Sequence, residues 1–247
     1  MATLTMRRAA ELLESNFYDV IVKMSGKPFT ELVLHGEYIN LMGLGEPEIL
    51  ALFSLMIKLN IITLRCVRVS FSTLYLPSVE FRNSIKDCHC LRNIHLENCE
   101  EAEAFVSLMA TRCSRLKTIC TINRSGGYPN NLLQIISDLS DSFKNTYALL
   151  YFDLSSVKAL ANDVKNGRDP WLGKAAIQAG DYNDKIACVI KRNAAGYAKC
   201  RRAIYEFLLI KQSRVCPLFE YINRDVVQLI ARMVHESRGT VIWVNAS

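Results

Sequence analysis

The stretch 88–122 constrains the fold more than any other part of the chain. It reads Leu91-x-x-Ile94-x-Leu96-x-x-Cys99, continues with an apolar-periodic segment, and then repeats its opening at Leu116-x-x-Ile119. Ile94 and Leu96 alternate with polar residues, which is the period of a strand, and the segment after them has the period of a helix. One strand and one helix cannot bury their apolar sides alone. A return after 25 residues therefore calls for stacked copies of the same unit.

Looser copies lie on both sides. Phe29-x-x-Leu32-x-Leu34 opens a first unit and Ile61-x-x-Leu64-x-Cys66-x-x-Val69 a second. Leu91 opens the third, Leu116-x-x-Ile119-x-Thr121 the fourth and Tyr147-x-x-Leu150-x-Phe152-x-x-Ser155 the fifth. The starts are 32, 30, 25 and 31 residues apart, and each interval holds one strand and one helix. Gly45-Glu46-Pro47-Glu48 predicts a helix start, because Pro suits the first helical position and acidic groups favour the positive end of the dipole. Ile49, Leu50, Phe53, Met56 and Ile57 supply its apolar stripe. A weaker helix is expected over 79–87. Another over 101–111 turns Ala104, Phe105, Leu108 and Met109 inward, and a further one carries Leu132, Leu133, Ile136 and Leu139.

Upstream, Ala9, Leu12, Leu13, Phe17, Val20 and Ile21 fall at near-helical spacing, so 1–28 is expected to be an N-terminal capping helix. The repeat array occupies 29–157. After it the period disappears, and 158–247 is expected to be a helical C-terminal region with separate segments at 157–164, from Asp169-Pro170, at 185–192, at 198–211 and at 223–239. Asn223 caps the last and Gly239 ends it.

Half the residues are hydrophobic and 22% are charged, the balance of a globular chain. The longest apolar run, 49–62, contains Ser54, Lys58 and Asn60 and is too short to span a bilayer. Nine cysteines, an odd number, and the lack of an apolar leader in 1–16 lead to the expectation of a reduced, cytoplasmic compartment, with a virion as the alternative. The thiols then serve as small core residues. Charge is uneven: 158–214 carries 12 Lys and Arg against 5 Asp and Glu.

The stretch 91–122 resembles the cysteine-containing leucine-rich repeats that accompany F-box proteins. In those a Cys precedes the strand, as Cys88 and Cys113 do here, and a second closes it, as Cys99 does. The resemblance implies an α/β fold: a short leucine-rich-repeat solenoid of about five strand–helix units, followed by an all-helical C-terminal region, with protein binding on the concave strand face. Ile222-Asn223-x-Asp225-Val226-Val227-x-x-Ile230-x-x-Met233 is faintly similar to the first helix of an F-box, with Asn223 where that motif has Pro and at the opposite end of the chain. A terminal helix after a repeat array is also similar in style to proteins encoded by large DNA viruses of protists.

Cys88, Cys90, His95 and Cys99 are the right ligand types for zinc, yet the repeat register already assigns Cys88 and Cys99 to the core and no C-x-x-C pair completes a site. No nucleophile elbow, P-loop, metalloprotease or kinase signature occurs, so the expectation is no enzyme, no metal and no cofactor. Candidate protein-binding residues are those that alternate with the core positions: His35, Arg65, Asn93, His95, Glu97, Thr118, Tyr151 and Asp153, with Val33 and Cys120 beside them. Lys191, Arg192, Lys199, Arg201 and Arg202, set among Tyr197 and Tyr205, are the candidate nucleic-acid contacts. The functional expectation is a non-catalytic protein–protein interaction module, with use as a substrate adaptor for ubiquitination. The alternatives are a structural component of a large assembly such as a virion, and a nucleic-acid binder acting through the basic helices.

Overall fold

The structure is a computed structural model, and it describes residues 2–12, 28–37, 41–71, 79–122, 132–144, 148–154, 166, 170–213 and 226. In chain order these form β1 (Ala2–Met6), a 3-10 turn (Ala9–Leu12), β2 (Phe29–His35), β3 (Met42–Gly43), α1 (Glu46–Lys58), β4 (Thr63–Val67) and β5 (Val69–Ser70). Then follow α2 (Val79–Ser84), β6 (Asn93–Glu97), α3 (Ala102–Arg112), β7 (Thr118–Ile122), α4 (Leu132–Lys144), β8 (Tyr151–Leu154) and α5 (Pro170–Ser213). The fold is α/β, built on a six-stranded sheet of order β1-β2-β4-β6-β7-β8 in which every pairing is parallel. Position in the sheet follows position in the chain without a reversal, and β3 and β5 form a separate parallel pair.

The register aligns equivalent residues of successive units into rows. Leu4, Leu32, Leu64, Ile94, Ile119 and Phe152 form one row across all six strands, and Met6, Leu34, Cys66, Leu96, Thr121 and Leu154 form the next on the same face. Apart from half-buried Phe152, every member of these rows is buried. Each fully buried leucine contributes roughly 1.5–3 kcal/mol relative to exposure. The helices cover this face: Ile49, Leu52, Phe53, Leu55 and Met56 of α1 and Phe105, Val106 and Met109 of α3 join the same core. Phe105 stacks on Phe71 with ring centroids 4.1 Å apart.

The turns repeat as well. The backbone N–H groups of Gly36, Arg68 and Asn98, each directly after a strand, donate to Val67, Glu97 and Ile122 at 2.8, 2.9 and 2.7 Å. Arg68 and Asn98 have φ of 55° and 51°, a left-handed conformation that bends the chain as it leaves the strand. Before the strands, Ile62, Arg92, Lys117 and Leu150 donate in turn to the carbonyls of Thr30, Ile62, Arg92 and Lys117. That series fixes the fifth unit two residues later than the spacing predicts. Buried Leu149, not Tyr147, occupies the position of Phe29, Ile61, Leu91 and Leu116. A slip of two keeps every side chain on its face, so alternation alone does not reveal it.

At the N-terminus, the unit expected to be a capping helix over 1–28 opens with a strand, β1, because Leu4 and Met6 extend the two buried rows; residues 13–27 lie outside the described residues. Helix α1 begins where the sequence places it, with the Glu48 carboxylate accepting from the Gly45 N–H at 3.0 Å. Beyond the sheet, the segments expected separately from Asp169-Pro170, at 185–192 and at 198–211 are one helix, α5, of 44 residues and about 66 Å at 1.5 Å per residue. Single glycines such as Gly180, whose surroundings are open, cost a helix only about 1 kcal/mol each and do not end it. Its first half packs on α4 and β8 through Ala179, Tyr182, Ile186, Val189 and Ile190. Buried Asn193 closes this contact by donating to the Leu149 carbonyl at 2.9 Å. Among the described residues, no helix is long and apolar enough to cross a membrane. The helices expected at 157–164 and 223–239, and the F-box-like stretch 222–233, lie outside the described residues except for Val226.

Candidate interaction surface

Residues between the buried rows point to the other face of the sheet, and the register arranges them in three rows of their own. The first is Thr3, Glu31, Thr63, Asn93, Thr118 and Tyr151, and the second Thr5, Val33, Arg65, His95, Cys120 and Asp153. The third is His35, Val67, Glu97 and Ile122. All of these side chains are exposed or half-buried. At about 4.8 Å per strand the face is about 24 Å wide. All eight residues expected to bind a partner, His35, Arg65, Asn93, His95, Glu97, Thr118, Tyr151 and Asp153, fall on it. The sequence reading missed the contribution of β1 and of Glu31 and Thr63. The signal was present in Leu4-x-Met6, which has the same apolar alternation as Leu32-x-Leu34.

The face is polar and lightly tied together. Thr3 donates to Glu31 at 2.8 Å, Asn93 to Thr63 at 3.1 Å, and Tyr151 to Asp153 at 3.3 Å. Arg65 pairs with Glu97 at 3.5 Å, both reaching solvent. Such exposed pairs are worth about 0–1 kcal/mol and exchange for an incoming partner at little cost. Partial burial, reinforced by the Arg65 charge and opposed by Glu31, lowers the pKa of His95 below its ordinary value. This favours the neutral imidazole, which offers both a donor and an acceptor. With Glu31, Glu97 and Asp153 against Arg65, the face carries two net negative charges.

The cysteines at 66, 88, 90, 99 and 113 lie on the core side, whereas Cys120 belongs to the open face. Cys66, Cys88, Cys99 and Cys113 are buried and unbridged, and Cys88 sits 3.4 Å from half-buried Cys90, sulfur to sulfur. The hydrogen bond that the Cys88 thiol donates to Cys113 contributes most to raising Cys88 to about 11, burial raises Cys99 to about 11, and burial pushes Cys66 well up. The contact with Cys88 likewise holds Cys90 far above the ordinary thiol range. Thiols held protonated are weak nucleophiles. The sequence grouping of Cys88, Cys90, His95 and Cys99 is split by the fold, since His95 is on the open face and Cys99 in the core. Among the described residues, no cluster of three His, Cys, Asp or Glu is arranged to hold a metal ion.

The five basic candidates, Lys191, Arg192, Lys199, Arg201 and Arg202, are all exposed on α5, away from the sheet face, at and beyond the point where Asn193 closes the packed half. Arg201 and Arg202 line an open groove with Tyr197 and Tyr205, whereas Lys191, Arg192 and Lys199 are not among its lining residues. Comparison with protein-family models, with curated proteins and with solved structures gives no match.

Proposed function

We propose that the chain is a non-catalytic protein-interaction module: a short solenoid of the leucine-rich-repeat type that binds a protein partner through the open face of its sheet. The observation that carries the reading is the alignment of outward, mostly polar residues into rows across the parallel sheet, two spanning all six strands and a third spanning four, while the helices cover the opposite face. Strand order that follows chain order, repeated turn bonds at Gly36, Arg68 and Asn98, and buried rows of equivalent leucines support the repeat assignment. The energetics favour binding there as well. The short side chains of Thr3, Thr5, Thr63, Asn93 and Thr118 lose little conformational entropy when a partner orders them, and the longer Arg65 and Glu97 are already paired with each other. A partner segment with basic groups complements the net negative charge.

The test is affinity purification with wild type and with a variant carrying Arg65→Glu, His95→Glu and Thr118→Glu together. All three positions lie on the open face, so the fold should tolerate them. Loss of specific partners from the variant, with an unchanged circular dichroism spectrum, supports the reading. An identical partner list for the two proteins removes it.

A further inference from the structure

Helix α5 has two halves with different chemistry. Up to Asn193 its apolar stripe is seated on α4 and β8; from Ala194 onward its described side chains are exposed or half-buried, Tyr205 most notably at 62% exposure. An open groove of about 470 Å³ runs along this second half, lined by Ala194, Tyr197, Ala198, Arg201, Arg202 and Tyr205. Between 191 and 206 the helix carries five cations against the single acid Glu206.

We infer that this half of α5 is a binding site for single-stranded nucleic acid, with Arg201 and Arg202 on phosphates and Tyr197 and Tyr205 stacking on bases. The inference is independent of the sheet-face reading. Ala194 and Ala198 form a low floor on which a base can approach the helix backbone. The tyrosines, eight residues apart, are separated by about 12 Å along the axis, a span of three to four nucleotides at about 3.4 Å each. Arg201 sits midway, one turn from each. Base faces are open to aromatic side chains only in an unpaired strand, which selects single strands over duplex. Arg202 is already paired with Glu206 at 3.2 Å, but both are highly exposed and so spaced pairs are weak, so phosphate displaces the carboxylate readily. A membrane-surface helix would keep its cations off its apolar face. Here the arginines and tyrosines share one face.

The experiment is fluorescence anisotropy of the full chain with a labelled twenty-nucleotide oligo(dT) over a salt series from about 50 to 300 mM, where contact number sets the slope. Binding should weaken linearly in log–log form, and R201Q/R202Q should reduce the slope by about 1.4, from about 0.7 per phosphate contact. Tyr205→Ala should weaken binding roughly 5- to 150-fold, the range for one stacked base, while Tyr205→Phe retains it. Heparin, a polyanion without bases, should bind equally to the wild type and Tyr205→Ala. The Arg65, His95 and Thr118 triple variant should bind the oligonucleotide like wild type. Absence of salt-sensitive binding overturns the inference, as does tighter binding to phosphatidylserine vesicles or to polyglutamate than to the oligonucleotide. Indifference of oligonucleotide binding to Tyr205→Ala overturns it too.

Discussion

Gly36→Ala tests the stacked turns directly. A Cβ at this position would lie 2.0 Å from the Arg68 carbonyl oxygen and 2.9 Å from the Met42 nitrogen, both backbone atoms. An ordinary contact needs about 3.5 Å, so the two turns must separate by about 1.5 Å. That movement stretches two bonds that join neighbouring units, Gly36 N–H to Val67 at 2.8 Å and Met42 N–H to Arg68 at 3.0 Å. Losing them costs about 0.5–1.5 kcal/mol each, and the accompanying repacking strain about 1–3 kcal/mol. The expected destabilisation is about 2–6 kcal/mol. Gly43→Ala is the matched control: nothing lies within 4 Å of its added Cβ, so its effect should stay within about 0.5 kcal/mol. Urea unfolding followed by far-ultraviolet circular dichroism gives both numbers, provided the slope is common to all three proteins. A Gly36→Ala midpoint equal to wild type, or an equal loss in Gly43→Ala, would refute the turn-to-turn contact.

Glu101 precedes α3 with φ 51° and a buried carboxylate oxygen that has no hydrogen-bond partner among the described residues, and burial raises its pKa. Glu101→Gly should therefore stabilise the protein at pH 7 by about 1 kcal/mol in urea unfolding, by relieving the left-handed strain; a loss of stability would count against that conformation. His95 has a pKa below its ordinary 6.5, so the unfolded chain binds the proton first. Its contribution is complete above that value and declines as the pH falls beneath it. His95→Gln should lessen the stability lost between pH 7 and pH 5, and parallel pH profiles for the two proteins would contradict the shift. Asn193→Ala strands the Leu149 carbonyl and should cost about 1–3 kcal/mol; a neutral result would mean that α5 is not fastened there.

The repeat was legible because one unit, Leu91 to Cys99, keeps every core position apolar, and its parity transfers to looser copies. Parity also explains why the open-face residues were found even where a start was misplaced. Tyr151 and Asp153 face outward whether the unit begins at Tyr147 or Leu149, since two residues separate the alternatives. Strand β1 was hidden because Leu4 and Met6 stand just before a run with helical spacing, and pairing with β2 decides their conformation. The turn series was hidden for a different reason. Gly36, Arg68 and Asn98 share a place in the fold but no chemistry, since the position uses only backbone groups. Helix α5 was expected as separate segments because its apolar residues fall in short clusters with polar stretches between them, and its groove depends on which side chains meet after three turns, which no local pattern announces.

Site-specific photo-cross-linking tests the role of the open face most directly. A photoreactive residue in place of His95 reports on the sheet face, and one in place of Ser54, exposed on α1, reports on the helical side. Irradiation in extracts of the native cells should give discrete protein adducts from position 95 and none of the same species from position 54. The same adducts at both positions, or none at position 95, would contradict protein binding through the outward rows.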